Sequence, residues 1–138
     1  MPCKPVRAVQ EATLVARPLK VELYACSAAG DTWGLATADV TDPSDVETAL
    51  QALALASRAP GAAAPQDLEA AQVPGATPFQ HARRVRSVGR TADGARRVVE
   101  AQVFAVGTRV FQMSVATDGS RPQAVASFME SARAATRP

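Results

Sequence analysis

An α+β fold, with an antiparallel sheet of about six strands and helices packed on its faces, is predicted by three features of this sequence. First, two β-rich runs between Arg96 and Val115 meet at Gly107-Thr108, a hairpin signal because Gly can take the φ > 0 first central position of a type II′ turn. Second, Leu19, Val21, Leu23 and Ala25 alternate with Lys20, Glu22, Tyr24 and Cys26, the period-two signature of a half-buried strand. Third, Val46, Leu50, Leu53 and Ala54, and later Val125, Phe128, Met129 and Ala132, recur at helical spacing. The resulting order is three strands, a helix, three strands and a final helix, in one domain spanning residues 1–138.

Each element has a local reason. Pro2 and Pro5 favour an extended entry, and Val6 to Ala16 reads as a loose strand ended by Arg17-Pro18. Ser27 to Asp31 turns the chain into a third strand, Thr32 to Asp39, with Trp33, Leu35 and Thr37 on one side. The strongest helix start lies at Thr41 to Glu47. Asp42 can cap with Pro43 at the first helical position, or Ser44 can cap with Glu47 as a capping box. Arg58 and Pro60-Gly61 stop that helix. Residues 59–78 form an Ala/Pro/Gly-rich loop, within which Gln66 to Gln72 fits a short helix. Phe79 to Gly89 is a weak strand, and Ala92-Asp93-Gly94 turns into the hairpin. Pairing Val106 with Arg109 places Phe104 opposite Phe111, Gln102 opposite Met113 and Glu100 opposite Val115. Both hairpin faces are then substantially apolar, so helices are expected on both sides, from residues 43–58 and 121–135. Ser120 and Gln123 can cap the second of them.

Composition constrains the partners. The net charge of +2 conceals a polarity, because residues 1–79 carry five basic and nine acidic groups and residues 80–138 carry ten basic and four acidic. Arg supplies most of the excess, as genomic codon bias toward Arg and Ala would also do. Arg83, Arg84, Arg86, Arg90, Arg96, Arg97 and Arg109 could lie on adjacent strands near one end of the sheet, where guanidinium forks would suit a carboxylate, phosphate or sulfated ligand. Specific nucleic-acid recognition would add interleaved aromatics or a recognition helix, and neither is seen. A solvated Arg face is the simpler account of the same residues.

Cys3 and Cys26 are the only cysteines and His81 the only imidazole, which excludes the usual zinc sets. Cys3 and Cys26 are expected to form a disulfide joining the first strand to its return, which implies an oxidising compartment; the alternative is two unlinked core residues. With no apolar run long enough to span a bilayer and no signal-type core, the expectation is a periplasmic or secreted chain whose leader or lipid anchor is already gone. Asp39, Asp42, Asp45 and Glu47 gather where the helix dipole favours acids, and the ordered spacing of a calcium loop is absent.

The run Phe104-Ala105-Val106-Gly107-Thr108-Arg109-Val110-Phe111-Gln112 and the closing Ala126-Ser127-Phe128-Met129-Glu130-Ser131 resemble the PsbP-like family of small secreted or lipid-anchored bacterial proteins. In that family an aromatic-bearing hairpin with a Gly-containing tip precedes a helix with a Phe-containing end. Met1-Pro2-Cys3-Lys4-Pro5 is similar to the family's Phe-Pro-x-x-Pro entry, with Met in place of Phe. The resemblance is specific over residues 96–131 and implies a fold and an extracytoplasmic address; it transfers no catalytic residue and no cofactor.

The functional expectation is therefore a non-enzymatic extracytoplasmic binding or accessory domain. Its partner would be an unknown protein or a small anionic ligand, met through Arg83, Arg84, Arg86, Arg96, Arg97 and Arg109. Two alternatives stand beside it. One is a small hydrolase or transferase with a site under the 59–78 loop near His81 and Tyr24; the other is a self-associating subunit, such as a homodimer, joined through the apolar hairpin edge. No metal or cofactor is called for by any motif.

Overall fold

A computed structural model describes residues 3–132. Strands β1 (Val6–Thr13), β2 (Pro18–Ala28) and β3 (Asp31–Asp39) precede a 3-10 turn at Pro43–Asp45 and helix α1 (Val46–Ala56). Strands β4 (Gln66–Ala70), β5 (Arg83–Arg90), β6 (Arg96–Val106) and β7 (Arg109–Thr117) follow, and helix α2 (Pro122–Glu130) comes last. All seven strands form one antiparallel sheet in the order β1-β2-β3-β7-β6-β5-β4. The two meanders are thus joined by β3 against β7.

The central hairpin has the register its sequence implies: Val106 pairs with Arg109, Phe104 with Phe111 and Gln102 with Met113. Gly107 takes φ +60° at the tip, where an L side chain would be strained. Phe104 and Phe111 stack with ring centroids 5.1 Å apart. Two glutamines show how each face is covered. Gln112 donates to the Leu53 carbonyl and to Ser57 Oγ at the end of α1, both at 2.8 Å. Gln102, one step out of register with it and so on the opposite face, donates to the Met129 carbonyl of α2 at 3.1 Å. The helices therefore lie on opposite sides of the sheet, each tied to a strand at the end where its own carbonyls lack helical partners. Val46, Ala49, Leu50 and Leu53 of α1 are buried, as are Val125 and Met129 of α2, whose Phe128 meets Trp33 edge-on at 5.2 Å.

Three expectations are corrected. The sheet has seven strands rather than about six, and four of them, not three, lie between the helices, because Gln66–Ala70 is a strand where a short helix was expected. Its helix-forming residues are too few to hold a helix alone, whereas β5 offers an open ladder. A register shift between Asp67 and Glu69 turns these acids to opposite faces, where Asp67 meets Arg83 and Glu69 meets Arg84, two consecutive residues of β5. The capping box expected at the second helix is the third: Ser120 is held by Asp118, and Arg121 stands at the start of α2 with no side-chain cap. At the first helix, of the two caps open to it, Asp42 with Pro43 at the first position is the one used: Asp42 accepts from the Ser44 amide at 3.0 Å, and α1 begins after that turn.

Cys3 and Cys26 form a disulfide, with Cα atoms 5.8 Å apart. It matters for β1, nearly all of which is exposed. That strand is held by its ladder to β2, by the disulfide before it and by buried Val15 after it. Among the described residues no helix is long and apolar enough to cross a membrane.

Candidate functional site

A groove of about 520 Å³ lies on the face of the sheet that carries α2. Its floor is Phe104, and its wall is the segment running from Ala70 to Ala82, including Val73, Pro74 and Phe79. This wall is held open by specific backbone bonds. The Ala71 amide donates to the Ala82 carbonyl at 2.9 Å, and the Thr77 amide donates to the Ala105 carbonyl at 2.8 Å, extending the sheet past the start of β5. The Gly107 amide also donates to Thr77 Oγ1 at 2.9 Å, so the hairpin tip and the wall are one unit. Apolar residues supply most of the lining, and no His, Cys or carboxylate is among the lining residues. Such a surface can desolvate an apolar guest and offers it backbone groups for orientation.

The Arg residues do not all share one surface, although Arg90 and Arg96 pair across the β5–β6 ladder. Register places Arg84, Arg86, Arg90 and Arg96 on the α2 face of β5 and β6, and Arg83 and Arg97 on the α1 face. Arg109 lies on the α2 face at the hairpin tip, away from Arg90 and Arg96 at the far end of their strands. Most are also engaged. Arg83 grips both oxygens of Asp67 through Nε at 2.9 and 3.0 Å, and Arg84 pairs with Glu69 at 3.3 Å. Arg97 donates to the Gly30 carbonyl at 2.9 Å, Arg90 to the Gly94 carbonyl at 3.0 Å, and Arg109 to Thr37 Oγ1 at 3.3 Å. Among the described residues Arg86 and Arg96 make no side-chain hydrogen bond or ion pair. Arg86 faces Glu100 across the ladder and lines a second cleft of about 220 Å³ with Val98, Arg121 and Val125.

His81 lies outside the groove. Its main-chain N donates to Glu47 Oε1 at 3.1 Å, its Nε2 is 2.9 Å from Gln51 Nε2, and its Nδ1 is 3.2 Å from Glu47 Oε2 but off the line of a hydrogen bond. The ring is thus docked on α1, fixing the end of the groove wall to the first helix. Tyr24, the other residue considered with it, is on β2 beside Arg7 and Glu22. The acids near α1 are likewise dispersed among separate partners: Asp39 on Thr41 and Thr108, Asp42 on Ser44, Asp45 on Arg17, and Glu47 on His81. Among the described residues no group of three His, Cys, Asp or Glu side chains could hold a metal ion.

The loop is legible in the sequence, but the lining of the groove is not: its residues carry no periodicity to mark them, and it is the backbone bonds of Ala71 to Ala82 and of Thr77 to Ala105 that set the loop beside Phe104. Comparison of the chain with family models, with curated proteins and with solved structures gives no match.

Proposed function

We propose that this chain is an extracytoplasmic binding or accessory domain that receives an apolar group or segment of its partner in the groove beneath residues 70–82. The observation that carries this reading is the groove itself: a backbone-braced, mostly apolar recess floored by Phe104. The compartment is inferred from the Cys3–Cys26 disulfide, since such bonds persist in oxidising environments. The resemblance to PsbP-like domains belongs to the same proposal, supported by the aromatic hairpin with its Gly107 tip and by the Phe-bearing α2 that follows. Anionic recognition is reduced to Arg86 and Arg96, and the hydrolase alternative is disfavoured by the docking of His81 on α1, outside the groove lining.

The test uses Nile red, a neutral apolar dye. The chain is expected to bind it saturably at one site, with enhanced emission, and Ala76→Trp, which fills the groove from its wall, to abolish that signal while leaving the far-UV circular dichroism unchanged. Absence of saturable binding, or equal binding by the variant, would remove the groove as the contact site. Turnover of p-nitrophenyl butyrate that disappears in His81→Ala would instead establish the hydrolase.

A further inference from the structure

The sheet ends in two edges of very different character. β4 is five residues long, bulged between Asp67 and Glu69, and lined by acids held by β5. Those are the devices that keep an edge from pairing. β1 is neither short nor bulged, and its two charges are of opposite sign: Glu11, and Arg7, which lies 3.6 Å from Glu22 of β2. It runs eight residues in unbroken register against β2, contains no proline, and leaves Val6 74% and Val9 45% exposed. The apolar hairpin β6–β7, where self-association would be expected from sequence, lies inside the sheet between β5 and β3 and has no open edge.

We propose that β1 pairs antiparallel with β1 of a second copy across a twofold axis at Val9, joining two sheets into one continuous sheet. The argument is the charge pattern of the strand, Val6-Arg7-Ala8-Val9-Gln10-Glu11-Ala12. With Val9 opposite Val9 of the second copy, Arg7 falls opposite Glu11 and, by symmetry, Glu11 opposite Arg7. Ala8 then meets Gln10, and Val6 meets Ala12. Shifting the pairing by one or two residues in either direction removes both Arg–Glu pairs and sets each charge opposite Val, Ala, Gln, Thr or Pro. One register is therefore self-complementary, as an isologous interface requires, and cross-strand opposite charges are the pairs that stabilise a ladder. Arg7, Val9 and Glu11 share the face of β2's Tyr24, Glu22 and Lys20, so the charged pairs remain at the surface. Val6, Ala8, Gln10 and Ala12 lie on the face of Leu23, Val21 and Leu19, where Val6 of one copy covers Ala12 of the other and Ala8 meets Gln10. The disulfide before the strand and Val15 after it hold β1 in place before association, which lowers the ordering cost of pairing.

The experiment is sedimentation velocity over a dilution series, with the disulfide intact. The chain is expected to dimerise. Arg7→Glu sets like charges opposite each other twice and is expected to weaken the dimer about thirty-fold. Arg7→Glu combined with Glu11→Arg reverses both pairs and is expected to restore it. A chain that stays monomeric throughout the series overturns the proposal, as does an Arg7→Glu variant that dimerises like the parent or a double variant no better than the single one. Val9→Lys, which places two ammonium groups on the axis, serves as the second variant and is expected to be monomeric; its dimerisation would equally overturn the register.

Discussion

Removing the Cys3–Cys26 bridge is expected to loosen one strand far more than the rest of the molecule. The closed loop has a sequence separation of 23. In the chain-entropy account a loop of that length restricts the unfolded state by about 3.4 kcal/mol at room temperature. For a domain of this size that corresponds to a fall of roughly 12 °C in Tm. The strand affected is β1, whose side chains are almost all exposed, so that little burial compensates when its covalent anchor is cut. The perturbation is mild reduction of the native chain, with Cys3→Ser/Cys26→Ser as the permanent counterpart. Calorimetry reads the global loss, and amide hydrogen exchange reads its distribution. Amides of β1 are expected to exchange far faster after reduction, while those of β6 and β7, buried at the centre of the sheet, follow the global stability alone. A Tm unchanged by reduction, or an exchange increase shared equally by β1 and β6, would refute the reasoning.

Two further predictions rest on local geometry. A Cβ added at Gly89 would stand 2.1 Å from the Pro60 carbonyl oxygen, a backbone atom bonded to the Arg90 amide. Gly89→Ala is therefore expected to cost about 2–3 kcal/mol in urea unfolding, and a loss within experimental error would show that the segment after α1 is not seated on β5. Asp39 accepts from the Thr41 amide and from Thr108 Oγ1, and these bonds hold its carboxyl below the ordinary value of 3.8. Because the folded value is lowered, the carboxylate adds stability above the ordinary carboxylate range and loses it as pH falls through the depressed value. The Tm difference between the native chain and Asp39→Asn should be widest near neutral pH and vanish in strong acid; a gap constant across that range would contradict this assignment.

Much of the architecture was legible because it rests on periodicity and turn chemistry. The hairpin register followed from Gly107 and the alternation on either side of it, since a one-residue slip would turn both phenylalanines to the other face. Both helices followed from apolar stripes, and their placement on opposite faces from a hairpin apolar on both sides. β4 was not legible: Gln66 to Ala70 has helix-forming composition, and only the open ladder and paired arginines of β5 make it a strand. The Arg residues were visible as a cluster in sequence, but strand alternation sends consecutive residues to opposite faces and hairpin pairing sends them to opposite ends. Local spacing could not anticipate which of them would meet Asp67, Glu69 or the Gly30 carbonyl.

By itself the sequence determined the α+β class, the central hairpin and the helix stripes, because these depend on neighbours within a few residues. The Cys3–Cys26 disulfide was already expected from the sequence and is present. Only the tertiary structure decided that His81 docks on α1, that the loop wall stands beside Phe104 and that β1 is left as an open edge. Each of these depends on which distant strands share a ladder, and strand order is set by the burial of the whole sheet rather than by any one segment.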